Sequence, residues 1–149
     1  MSDRPTLTIL SGFFSPIHVG HLDMIEAGAA YGDRLVVIVN NNEQQLLKKG
    51  KLVIDEHDRL RIVQALRIVD DALIAVDSDN TVRESLRVVA EKYPDHHLVF
   101  GNGGDRHSNA VVPETPVCED LGIEMVFGMG GTTKADSSSR ILSVMNEEN

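Results

Sequence analysis

The chain has 149 residues, of which 42% are hydrophobic and 4% aromatic, and its 14 basic and 23 acidic side chains give a formal net charge of -9. A chain this acidic is not expected to bind nucleic acid, and so few aromatic residues do not suit a stacking platform for single strands. No apolar run reaches the ~20 residues of a membrane span, so a membrane partner is not expected either. The single cysteine, Cys118, is typical of a reducing compartment, and a cytoplasmic location is the expectation.

Short β-branched apolar runs alternate with segments whose apolar residues recur at helical spacing. The runs are apolar on both faces, so they predict strands buried in a parallel sheet between layers of helix. The predicted strands are residues 6–10, 34–39, 72–76, 97–100 and 123–127. The predicted helices are residues 22–31, 55–69, 81–93, 114–121 and 137–145, and residues 43–51 are a predicted mobile loop with some helix.

This order predicts an α/β fold with a Rossmann-like, doubly wound sheet of five parallel strands. No repeat, low-complexity tract or linker interrupts the pattern, so a single domain over residues 1–149 is expected. Ligands of such sheets bind at the carboxyl ends of the strands, where the strand order reverses. The turns after the first, second, fourth and fifth predicted strands are therefore expected to gather the functional residues at one edge.

Residues 11–21 join the first predicted strand to a helix, with two histidines and two glycines in the junction. A helix N-terminus offers unpaired N–H groups and a partial positive charge, which suit a phosphate. His18 and His21 are three residues apart, so they share one face if the first helical turn includes both. With Gly20 permitting close approach, the junction is predicted to cradle a polyphosphate. The alternative is a surface turn whose histidines have no function.

Lys48, Lys49 and Lys51 follow the second predicted strand, at the same expected edge. Lysines on a mobile loop can close over phosphates and neutralise charge that develops in a transition state. Arg59, early in the next predicted helix, is placed to reach the same site. The alternative is a loop that is merely solvated.

Two further turns contribute candidates near the carboxyl end of the chain. Gly104 and Asp105 follow the fourth predicted strand, where the glycine permits close approach and the carboxylate can bind a hydroxyl or hydrated Mg²⁺. Ser137, Ser138 and Ser139 open the last predicted helix, and Lys134 adds positive charge beside this second phosphate-type N-terminus. No three ligands converge at metal-binding spacing, so no protein-held metal is expected.

Three stretches together resemble the cytidylyltransferase-like nucleotidyltransferases with a His-x-Gly-His signature: Gly12-Phe13-Phe14-Ser15, His18-Val19-Gly20-His21 and Ser137-Ser138-Ser139-Arg140. The resemblance covers nearly the whole chain. In pattern the chain is similar to the glycerol-3-phosphate cytidylyltransferases and the heptose-1-phosphate adenylyltransferases. It departs from the family at Phe13 and Ser15, which stand where threonine and aspartate are frequent.

The resemblance implies that the phosphate of a small phosphomonoester, such as a sugar or polyol phosphate, attacks the α-phosphorus of CTP or ATP and releases pyrophosphate. The catalytic residues it implies are His18, His21, Lys49 and Arg59. The nucleotide-binding residues it implies are Gly12, Phe13, Phe14, Gly20, Gly104, Asp105, Ser137, Ser138 and Ser139. The substrate-binding residues are Ser15, Lys48 and Lys134.

Mg²⁺ is expected to accompany the nucleotide, and a homodimer is the assembly that the family suggests. Two alternatives stay open from the sequence. One is an adenylyltransferase of the phosphopantetheine type, which shares the pattern around Gly20 and the three serines. The other is a module that binds a nucleotide without catalysis.

Overall fold

Five parallel strands form one sheet in the computed structural model, which describes residues 4–103 and 112–129. The strands are β1 Thr6–Gly12, β2 Arg34–Val39, β3 Asp71–Ile74, β4 His97–Gly103 and β5 Glu124–Met129. The described helices are α1 Val19–Tyr31, α2 Asn42–Lys49, α3 Glu56–Gln64, α4 Arg83–Lys92 and α5 Thr115–Leu121. The predicted α/β class and the Rossmann-like parallel sheet are confirmed.

The strand order is β3-β2-β1-β4-β5, which puts β1 at the centre of the sheet. On one side Ile9 of β1 is in register with Val36 of β2, and on the other it is in register with Phe100 of β4. The chain thus runs outward from β1 to β3 and then returns to the far side of β1. The order reverses between β1 and β4, so the carboxyl end of β1 is where a ligand of this fold is expected.

Side chains that alternate along the central strands fill the two layers of the core. Leu7 and Ile9 face a cluster that includes residues of α4 and α5, whereas Leu10 faces a cluster that includes Ile25 of α1 and Val63 of α3. All five of these side chains are fully buried. Each contributes about 1.5–3 kcal/mol on leaving water. The strands are apolar on both faces because helices cover both faces of the sheet.

The segment predicted as a mobile loop is a helix, α2, which begins at Asn42. Asn41 caps it: its side chain accepts the Gln44 N–H at 2.8 Å, and the Gln44 side chain accepts the Asn41 N–H at 2.9 Å. This reciprocal pair satisfies two backbone donors that a helix start leaves unpaired. Gly50, at a φ of 75°, ends the helix in the left-handed conformation that glycine adopts without strain. Lys48 and Lys49 are therefore carried on a fixed element.

Two helix boundaries differ from the prediction by three residues or more. α1 begins at Val19, three residues before the predicted start, and α3 ends at Gln64, five residues before the predicted end. The last predicted helix, residues 137–145, lies outside the described residues. Within the described ranges, no helix has both the length and the apolar character to cross a membrane.

Candidate functional site

His18 and His21 form a stacked pair at the N-terminus of α1. The ring centroids are 3.9 Å apart and the planes differ by 28°. His18 is the N-cap residue, and its Nδ1 accepts the Gly20 backbone N–H at 3.1 Å. The Nδ1 atom of His21 accepts the backbone N–H of His18 at 3.2 Å. The predicted placement of both histidines on one face is confirmed, because the early start of α1 puts His21 in its first turn.

The two backbone hydrogen bonds fix the tautomer of both rings. A neutral imidazole carries one proton, and here each Nδ1 accepts, so the proton belongs to Nε2. Both histidines are then hydrogen-bond donors at Nε2. The first helical turn of α1 contains no acidic residue, so no carboxylate within that turn offsets the positive N-terminal dipole. This helix start is suited to an anion.

Residues 13–15, called here the first turn, connect β1 to the histidines. Phe14 has a φ of 53°, in the left-handed region that costs a residue other than glycine free energy. Its ring is buried and lies 4.8 Å, between centroids, from the His21 ring. At Gly12 a Cβ would come within 2.9 Å of the Phe14 ring, so glycine leaves the space that this ring fills. Gly12 thus leaves room for the Phe14 ring, and the Phe14 ring packs beside the His21 ring.

Ser15 is fully buried, and its Oγ accepts a hydrogen bond from Nε2 of Gln45 at 2.9 Å. A ligand has no access to a side chain in this position. This corrects the predicted substrate contact of Ser15: the residue fastens the first turn to α2.

Lys48 and Lys49 end α2 beside the first turn, in two different environments. The Lys48 Nζ lies 4.9 Å from the centroid of the Phe13 ring, and the Lys48 side chain is exposed. Lys49 is half-buried, and its pKa is lowered chiefly by that burial and further by the charges of Lys48, Arg59 and Lys51. Across residues 4–103 and 112–129, no carboxylate lies within ion-pair distance of either ammonium.

Arg59 is fully buried below the first turn. Its guanidinium donates to the carbonyl oxygens of Phe13, Asn40 and Ile54. A fourth bond goes to Oδ1 of Asn42 at 3.1 Å. All four acceptors are neutral oxygens, and burial lowers the pKa of Arg59 against the opposing charges of nearby acidic side chains. This corrects the predicted catalytic contact: Arg59 holds the segments that follow β1 and β2 instead of reaching a ligand.

A run of amide side chains after β2, residues 40–45, anchors α2 and was missed as a functional feature. Asn41 Nδ2 donates to the carbonyl oxygens of Ala75 and Asp77. Gln44, fully buried, donates to the carbonyl oxygens of Asp79 and Thr81. These bonds fasten the lysine-bearing helix to the segment between β3 and α4. Five amides in six residues, directly after an apolar strand, are the sequence signal of this anchor.

The remaining predicted residues divide into two groups. Gly20 lies in the first helical turn of α1, and its backbone N–H donates a hydrogen bond to Nδ1 of His18. The other predictions lie outside the described residues: Gly104, Asp105, Lys134, Ser137, Ser138 and Ser139. Among residues 4–103 and 112–129, no three His, Cys, Asp or Glu side chains are grouped so as to hold a metal ion.

The described site thus combines two imidazole donors, a helix N-terminus and the ammonium groups of Lys48 and Lys49. These groups offer no strong nucleophile. They are equipped to bind anionic oxygen atoms and to stabilise negative charge that grows on them.

Comparison with known proteins finds a matching family. The family model described as cytidylyltransferase-like matches residues 9–130. An FAD synthase of Pyrococcus horikoshii is 36% identical over 121 residues, which are 80% of this chain and 72% of that protein. The bifunctional protein HldE of Koribacter versatilis is 30% identical over 130 residues, which are 86% of this chain but 23% of HldE. The chain therefore spans most of one relative and about a quarter of the other.

A solved structure supports the fold. The lipopolysaccharide core biosynthesis protein of Thermoplasma volcanium matches with a TM-score of 0.63, covering 89% of this chain and 99% of that one. The sequence identity is 21%, so this likeness concerns the fold alone.

Proposed function

The chain belongs to the cytidylyltransferase-like family of nucleotidyltransferases, and from this premise we propose that it transfers AMP or CMP from ATP or CTP to a small phosphomonoester and releases pyrophosphate. A sugar or polyol phosphate is the proposed acceptor. The two substrates meet at the carboxyl end of β1, over the histidine pair.

The observation that carries the proposal is positive charge without a bonded counter-charge. Lys49 is half-buried, and across residues 4–103 and 112–129 no carboxylate lies within ion-pair distance of its ammonium. Enclosing a cation in this way costs free energy unless an anion joins it. A triphosphate supplies that anion. The histidine pair and the N-terminus of α1 supply donors to the same ligand.

The proposed reaction is a single displacement. An oxygen of the acceptor phosphate attacks the α-phosphorus, the bond from that phosphorus to the bridging oxygen breaks, and its electron pair leaves with pyrophosphate. Nε2 protons of His18 and His21 donate to oxygens on which charge grows. The Lys49 ammonium stabilises the leaving phosphates. No side chain needs to form a covalent bond, because positioning and charge stabilisation account for catalysis in phosphoryl transfer generally.

Mg²⁺ fits this proposal as a companion of the nucleotide. The side chains that contact residues 13–15 in the structure belong to His21, Gln45, Lys48 and Arg59, and none of them is a carboxylate. Ser15 itself is neutral. Oxygen ligands for Mg²⁺ would therefore come from the triphosphate. When bound there, the ion adds positive charge to the phosphate oxygens.

One relative favours a second acceptor. The FAD synthase matches over most of its length, and FAD consists of AMP joined to riboflavin phosphate. Riboflavin 5′-phosphate is also a phosphomonoester, so the same displacement applies to it. The acceptor panel must therefore include it beside sugar, polyol and pantetheine phosphates.

The direct test is pyrophosphate release. Purified protein is incubated with Mg²⁺, either ATP or CTP, and each acceptor in turn, and pyrophosphate is measured by a coupled assay. We expect release with one nucleotide and one acceptor, together with a product whose mass equals their sum less pyrophosphate. If the protein binds a nucleotide and releases pyrophosphate with none of the pairs, the non-catalytic module is the better explanation.

Lys49 provides a pH-dependent prediction. Its charged form is the one that binds phosphate, and its pKa is lowered, chiefly by burial. We therefore expect kcat/KM, which reports the free enzyme, to fall at high pH through a pKa below that of an ordinary lysine. Lys49→Arg should move this loss to higher pH, since a guanidinium keeps its proton to beyond about pH 12.

The matched control is Lys51→Arg, because Lys51 is exposed on the same segment. Its pH profile should equal that of the wild type. If Lys49→Arg leaves the alkaline limb where it is, Lys49 is not the group that titrates. Lys49→Met should in addition lower turnover more than it weakens nucleotide binding.

A further inference from the structure

The contact between Phe13 and Lys48 joins the two parts of the site. Lys48 Nζ lies 4.9 Å from the centroid of the Phe13 ring, within the range of a cation–π interaction. Lys48 belongs to the last turn of α2, and Phe13 follows the end of β1. A side chain of the lysine helix is thus held at the turn that leads to the histidines.

The neighbouring lysine is held differently. Lys49 is half-buried and crowded by positive charges, whereas Lys48 is exposed. A long exposed side chain usually loses much rotamer freedom when it binds a ligand. The ring below Lys48 limits this freedom before any ligand arrives. Two adjacent lysines therefore serve the site in different ways.

An aromatic ring is a suitable holder for this purpose. It attracts the ammonium through its quadrupole and carries no net charge, so the cation keeps its attraction for phosphate. The ammonium also has three N–H donors, which allows it to contact the ring and a phosphate oxygen together.

We propose that Phe13 is a positioning residue, which holds the Lys48 ammonium beside the first turn so that it meets the triphosphate already ordered. The inference rests on the proposed function, and it assigns Phe13 an action through Lys48 in place of a direct nucleotide contact. Loss of an exposed cation–π contact such as that between Lys48 and Phe13 is expected to raise the Kd of the nucleotide about two- to fivefold.

The test is a double-mutant cycle on the Kd of ATP and of CTP, each with Mg²⁺ and without acceptor, measured by calorimetry. Phe13→Leu should weaken binding about two- to fivefold in the wild-type background and leave it unchanged in the Lys48→Met background. Phe13→Tyr keeps the aromatic face and should bind as the wild type does. Lys51→Met is the control for loss of one exposed charge.

An independent readout comes from NMR of the Lys48 ε-methylene protons. The Phe13 ring current should shift them upfield in the wild type and in Phe13→Tyr, and Phe13→Leu should abolish the shift. The dispersion of the backbone amide resonances of the same samples shows whether each variant is folded.

Three results would overturn the proposal. Phe13→Leu could bind like the wild type, or it could weaken binding equally with and without Lys48, which would mean a direct contact with the nucleotide. The third such result is that the wild-type protein binds neither ATP nor CTP. By contrast, protein that shows the expected coupling in Kd but never releases pyrophosphate would refute the proposed reaction and leave the role of Phe13 intact.

Discussion

Replacing His21 with glutamine is expected to lower kcat by about 10²- to 10³-fold while leaving the fold as stable as before, which is the usual cost of one lost transition-state donor. The structure explains why glutamine is the informative substitution. Nδ1 of His21 accepts the His18 N–H at 3.2 Å and so completes a capping box. Glutamine at this position can accept the same N–H through Oε1, and its NH₂ group then donates from a different position than the imidazole Nε2.

His21→Ala is the matched comparison. It removes the imidazole and the cap together, so it should lose the same activity and in addition about 1 kcal/mol of unfolding free energy. Steady-state kinetics and urea denaturation on both variants separate the two roles. If His21→Ala loses stability but keeps full turnover, the histidine serves only the start of α1, and the proposed mechanism loses its main donor.

Arg59→Met is expected to reduce the free energy of unfolding by about 3–5 kcal/mol, a large part of the 5–15 kcal/mol typical of a domain. The guanidinium satisfies three carbonyl oxygens and the Asn42 side chain. Methionine fills much of the space but donates to none of them. The carbonyl oxygen of Asn40, a buried residue, would then lose its charged donor.

Arg61 provides the control for this prediction. It lies two residues along the same helix, and its side chain is exposed. Arg61→Met should change the free energy of unfolding by no more than about 0.5 kcal/mol in urea denaturation. Were Arg59 a ligand of phosphate, its replacement would weaken nucleotide binding with the stability unchanged. That result would restore the catalytic role expected from the sequence.

The features that follow from local pattern were predictable. The run Arg34–Val39 is apolar without interruption, and the structure buries Leu35 to Val39 completely inside the parallel sheet. The spacing of His18 and His21 predicts a shared helical face, and one turn of helix delivers it. Both conclusions need only a few neighbouring residues.

The features that depend on distant partners were not predictable in the same way. Arg59 looks like an exposed cation in the sequence, yet three carbonyls from separate segments enclose it. Ser15 looks like a ligand-facing hydroxyl, yet it is buried and accepts a hydrogen bond from Gln45, which lies 30 residues further along the chain. By contrast, the cap that starts α2 could be predicted from Asn41 and Gln44. The polar composition of residues 43–51 led instead to the prediction of a loop.

The amide run of residues 40–45 anchors α2 through bonds that depend little on ionic strength. Asn41 and Gln44 fasten α2 through neutral donors and backbone carbonyls, so these bonds involve no charges for dissolved ions to screen. The attraction of Lys48 and Lys49 for phosphate is Coulombic and decays over a Debye length of about 10 Å at 0.1 M. Dissolved salt therefore acts on the capture of the ligand, while the helix that carries the lysines keeps its place.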